Sequence, residues 1–231
     1  MGTDSPSVPV TVADALPNLR TGRLARGDDL TNNRPAQHLL DERRAYVREH
    51  GSAVLRARLR GRPDERHRAL SRRIAGVRAV AAELWELVAQ RPVWRVIQSV
   101  RSEPARSQGL HSAPLELRAL ELDQLVIGPS GVYTIETVYR ATEAVSASSA
   151  RNAARRTQEI LARATRVPIT VQALLVFVRT DQPRVEGSRD GVEVLTVDEL
   201  VPWLDKQRSM LTERELEIVH LAARDHRTWV G

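Results

Sequence analysis

Three carboxylates stand around one short turn in LELDQLVIGPSGVYTIETVYR (120–140): Glu121 and Asp123 before it, Glu136 after it. Side chains alternate along a strand, so Glu121 and Asp123 share a face of the first arm, and Glu136 and Val138 share a face of the second. The Pro-Ser-Gly turn between the arms signals a hairpin, which folds those two faces together. Carboxylates converging in this way would hold a hard divalent cation such as Mg²⁺ through oxygen ligands. Such an ion can polarise a phosphodiester and activate a water. Asp123 and Glu136 are the expected metal ligands. Other chemistries fall away. The chain has no cysteine, which removes thiol catalysis, disulfides and cysteine-based metal sites. Its six histidines (38, 50, 67, 111, 220 and 226) have no paired H-x-x-x-H spacing and give no zinc site.

Elements able to position these residues are visible in the periodicity. Residues 1–35, rich in Pro, Ser, Thr, Asn and Asp, read as a disordered tail. A basic helical extension follows over 36–62, interrupted near Gly51, and the main domain is expected over 63–231. Within it, Ile74, Val77, Val80, Ala81, Leu84, Leu87 and Val88 recur at helical spacing, one buried face of a helix over 64–90. Strands are expected at 93–100, 115–128 and 132–140, then a helix over 146–166. The nearly all-apolar ITVQALLVFV (169–178) reads as a central strand covered on both faces, and 192–197 as a shorter one. Asp198 is expected to cap the next helix. Thr212 caps the last one in the T-x-x-E capping-box pattern. This order gives an α/β sandwich around a mixed sheet.

Charge adds a partner expectation. The net charge is +6 and all but one of the basic residues are arginine, Lys206 being the single lysine. Between Glu42 and Arg78 twelve arginines stand against four acidic residues. An arginine-rich helical surface suits phosphate oxygens, so DNA is the candidate partner. No apolar run approaches the length needed to cross a membrane, and the opening residues lack the basic and apolar regions of a secretory signal. A cytoplasmic protein without a membrane partner is expected.

The segment 120–140 resembles the core of the NERD (nuclease-related) family, through Glu121, Asp123, Gly128, Pro129, Gly131, Val132, Ile135, Glu136 and Thr137. The order of elements from about residue 68 to 229 is similar to that family as well. The resemblance implies a restriction-endonuclease-like mixed sheet flanked by helices, the PD-(D/E)XK nuclease fold, here with a helical N-terminal extension. It implies catalytic roles for Asp123 and Glu136 with Mg²⁺, and a supporting role for Gln158 on the following helix. Active members add a lysine beside the ion. Val138 stands in that position, with Arg140 two residues further along the same face. The family's histidine after the aspartate is Gln124, and its early acidic residue would fall near Arg78, with Glu83 as a displaced substitute. The implied function is a nucleic-acid-associated protein with weak or lost phosphodiesterase activity. The alternatives are an active Mg²⁺-dependent DNA nuclease, with Arg140 or an arginine of the basic helix supplying the positive charge, and a non-catalytic interaction module.

Overall fold

The computed structural model describes residues 20, 22–62, 64–102, 119–139, 145–180, 185–186 and 190–230. Its centre is the apolar run Val171–Val178 (β5), in which every residue but Gln172 is buried. Such a strand needs neighbours on both edges and cover on both faces, and it has them. β3 (Gly131–Tyr139) and β7 (Val192–Thr196) flank it in parallel, while β2 (Glu121–Gly128) and β1 (Arg95–Arg101) extend the sheet antiparallel beyond β3. The order is β1-β2-β3-β5-β7, a mixed sheet with helices on both faces, as expected. A small parallel pair, β4 (Val145–Ser146) with β6 (Val185–Glu186), lies apart from it.

One face packs against α3 (Ala147–Thr165) and α5 (Glu213–Arg224), burying Leu125, Ile127, Leu175 and Phe177 with Ala150, Leu161, Val219 and Trp229. The other packs against α2 (Glu65–Gln90) and α4 (Val197–Asp205), joining Val126, Tyr133, Ile135 and Val176 to Val80, Leu84, Leu200 and Leu204. α1 (Gln37–Leu59) docks on α2 through Ala36, Leu39, Leu70, Ile74 and Val77. Among the described residues no helix is long and apolar enough to cross a membrane.

Several expectations shift. Gly51 does not interrupt α1, which runs unbroken past it. A lone interior glycine costs a helix about 1 kcal/mol and is outweighed when one face is packed. α4 begins at Val197 rather than after Asp198, because Glu199 accepts hydrogen bonds from the Thr196 N–H (2.8 Å) and hydroxyl (2.9 Å). Thr212 and Glu215 form the expected box on α5. β2 starts at Glu121; positions 115–118 of the expected strand, and Arg140, lie outside the described residues.

The stretch expected as a tail through residue 35 is packed over its second part. Leu24 and Leu30 are buried. Asp29 bridges Asp225, the His226 N–H donates to Asp28 O at 2.9 Å, and Arg224 donates to Gly22 O at 2.7 Å. This strap then enters α1 at Ser99 of β1, whose hydroxyl accepts the Gln37 N–H at 2.9 Å and whose carbonyl accepts from Asn33 at 3.1 Å. Ser99 and Ala36 both sit at positive φ (51° and 60°). Non-glycine residues adopt that region at a cost, and here the junction holds them there.

Candidate functional site

Residues of the turn set the register of the whole site. Gly131, at φ 132°, and Gly128 pair across the β2–β3 turn, and the ladder continues through Val126↔Tyr133 to Gln124↔Ile135. There it stops. β2 nevertheless stays paired with β1 as far as Glu121, and β3 with β5 as far as Tyr139. The two strands therefore part beyond Gln124 and Ile135, at the positions of Asp123 and Glu136. The Thr137 N–H, which has lost a ladder partner, donates instead to Asp123 Oδ2 at 2.8 Å.

The parting opens a cleft of about 310 Å³ whose lining includes Asp123, Glu136 and Thr134 from the strands, His38 from α1, Arg73 from α2 and Arg156 from α3. Ser149 and Asn152, near the start of α3, line it too. Asp123 is only 6 % exposed and its second oxygen faces His38 Nε2 at 3.4 Å. His38 is 5 % exposed, and its Nδ1 has no partner. Burial pushes the Glu136 carboxyl up to about 7, with the neighbouring Asp123 charge adding to the rise and Arg73 opposing it. Two carboxylates side by side in a half-buried place disfavour full ionisation of both. Thr134, 3 % exposed, presents a buried hydroxyl with no partner.

The hairpin argument thus brings Asp123 and Glu136 together. Glu121 lies at the exposed rim and receives the Arg101 guanidinium, with Nε at 3.0 Å. Val138 shares the face of Glu136 but packs against the apolar cluster beneath α3. Gln158 does not line the cleft: its side-chain oxygen accepts the Val171 N–H at 3.0 Å, closing the start of β5. Gln124 is fully buried on the opposite face, donating to Val77 O of α2 at 3.1 Å. Arg78 and Glu83 are not among the lining residues. His38, Arg73, Arg156 and Thr134 were not singled out by spacing, because three come from separate helices and the fourth looks like an ordinary β-branched strand residue. The one available signal for His38 was its place between Gln37 and the buried Leu39 in the helical pattern.

The donor set does not fit the Mg²⁺ site that the resemblance implies. A hard cation needs several free oxygens. Both oxygens of Asp123 already face protein partners, Glu121 is paired with Arg101, and Arg73 acts on Glu136. Among the described residues no group of three His, Asp or Glu side chains is placed to hold a metal ion. Scanned against protein-family models the chain matches none, and a search of curated proteins finds no match.

Proposed function

We propose that the chain is a nuclease-related protein of the NERD type whose cleft has lost phosphodiester hydrolysis, and that it associates with nucleic acid through its arginine-rich α1–α2 surface. The observation that carries this reading is the commitment of Asp123: the Thr137 N–H and His38 take up the carboxylate that a catalytic ion would need. Val138 supports it, since an apolar side chain packed in the core supplies no charge to a reacting phosphate. Arg43, Arg44 and Arg48 line a shallow depression on α1, a placement suited to phosphate oxygens.

A second reading has one specific support. Arg73 and Arg156 line the cleft, so positive charge is present near Glu136 without the lysine. An active nuclease would use one of these arginines. A guanidinium is broad and essentially never deprotonated, which makes it a charge stabiliser and not a proton carrier.

One experiment separates the readings. Supercoiled and single-stranded DNA are incubated with the protein and Mg²⁺ or Mn²⁺, comparing wild type with Asp123→Ala/Glu136→Ala. Wild type is expected to leave both substrates intact while binding them with an affinity that falls steeply with salt. Metal-dependent cutting that the double variant abolishes would establish the second reading. Absence of binding even at low salt would leave a module with no nucleic-acid ligand.

A further inference from the structure

The cleft carries charges of both signs, and it also carries buried polar atoms that nothing in the protein satisfies. Thr134 Oγ1 and His38 Nδ1 are both without partners, each on a side chain more than nine-tenths buried, and both residues line the cleft. A buried hydroxyl left unpaired costs about 1–3 kcal/mol, so an unfilled acceptor on the wall of an open cleft points to something that fills it. Thr134 lies on the face of β3 that carries Glu136, two residues away, and Glu136 pairs off across the parted strands with Asp123.

Ligand chemistry follows from what each part of the lining would repel. A lone anion meets Asp123, Glu136 and the rim carboxylate Glu121. A lone cation meets Arg73 and Arg156. A ligand with both signs meets neither objection if its two ends are a few bonds apart. An ammonium group offers three donors in a compact head and suits carboxylate and hydroxyl acceptors. A carboxylate suits guanidinium forks, and the N-terminal end of α3, a helix of 19 residues with Ser149 and Asn152 in the lining, adds partial positive charge on that side. About 310 Å³ is at the small end of ligand pockets, enough for a metabolite and too little for a polymer segment with its backbone.

We propose that the cleft between β2 and β3 binds a small zwitterion with the chemistry of a free α-amino acid, its ammonium against Asp123, Glu136 and Thr134 Oγ1 and its carboxylate toward Arg73 and Arg156. This does not depend on the nucleic-acid reading, which concerns the outer surface of α1 and α2. It assigns the cleft a recognition role in place of a hydrolytic one. The committed carboxylate of Asp123 then becomes an asset, because His38 and the Thr137 N–H hold it in one orientation for an incoming donor.

The test uses the full chain, isotopically labelled, in heteronuclear NMR titrations. Each standard L-amino acid is added in turn, with n-butylamine, butyrate and inorganic phosphate as probes of a single charge sign. At least one amino acid is expected to shift the amides of residues 134–137 and 149–153 saturably, with a Kd at or below about 1 mM. Butylamine and butyrate are expected to bind at least about tenfold more weakly, a loss of about 1.4 kcal/mol for either missing charge. Thr134→Val and Glu136→Gln, each checked for an unchanged amide spectrum elsewhere, are expected to weaken the amino acid by about tenfold. Absence of a saturable shift with any amino acid overturns the proposal. Equal binding of butylamine overturns it in favour of a simple cation site, and tighter binding of phosphate in favour of an anion site. Unchanged affinity in both variants would mean that water alone fills the cleft.

Discussion

Asp123 accepts the Thr137 N–H on one oxygen and faces His38 on the other, all in a place shielded from solvent. Removing its carboxylate strands a backbone donor and an imidazole together. Asp123→Ala is therefore expected to lower unfolding stability by about 3 kcal/mol, read as a reduced denaturant midpoint at constant slope. Glu136 behaves in the opposite sense. Its carboxyl titrates near 7 in the folded chain against an ordinary 4.5, so the folded state holds a proton that the unfolded state releases. Stability accordingly falls as pH rises from about 4.5 to about 7 and stays lowered above that. Glu136→Gln should be more stable than wild type at pH 8, by on the order of 2 kcal/mol, and equal to it below pH 4.5. Thermal unfolding of both proteins across that range checks the sign, and a difference that grew toward acid would refute it. At this scale the sequence reveals Asp123 and Glu136, because alternation along two arms of a hairpin is a local rule. It does not reveal His38 or Arg73, whose arrival depends on how two helices pack.

The β2–β3 hairpin is legible because its signals are local: a two-residue turn, a glycine at each end, and apolar alternation between. Gly128 has a second reason to be glycine, since a Cβ there would overlap the Trp94 ring. Gly128→Ala is expected to cost about 2 kcal/mol by overpacking at that contact, measurable in chemical denaturation; a neutral result would mean that Trp94 swings away freely. The place where β2 and β3 separate is not legible. Nothing in the composition of either strand marks Gln124↔Ile135 as the last pair, because the separation arises from each strand following its other neighbour. The docking of α1 is hidden for a similar reason. Ser99 and Ala36 at positive φ carry no glycine or asparagine to announce a turn, and their conformation is imposed by the junction between strap and strand. Gln158 shows the converse: a glutamine at the expected position in the expected helix, serving the backbone of β5 instead of the cleft.

Across the whole molecule, two layers of helices around one mixed sheet follow from the sequence, since strand-like and helix-like segments alternate in the order the fold requires. The strap over residues 22–36 does not, because its polar, turn-rich composition resembles that of an unstructured segment while Leu24 and Leu30 supply its anchors. That strap ties together positions as far apart as Gly22 and Arg224, separated by 202 residues. Contacts between neighbours along the chain, such as those of β2 with β3, cost little entropy to close, whereas this one closes a loop of almost the full chain. Folding should therefore finish where the strap meets α5. In a refolding experiment with pulsed hydrogen exchange, the Val126 and Tyr133 amides of the hairpin are expected to become protected early and the His226 amide, bonded to Asp28 O, last. His38 enters the cleft from the helix that this strap leads into. The cleft would then be completed only when the slowest step of folding is over, so a half-folded chain would carry its two carboxylates without the imidazole that holds one of them.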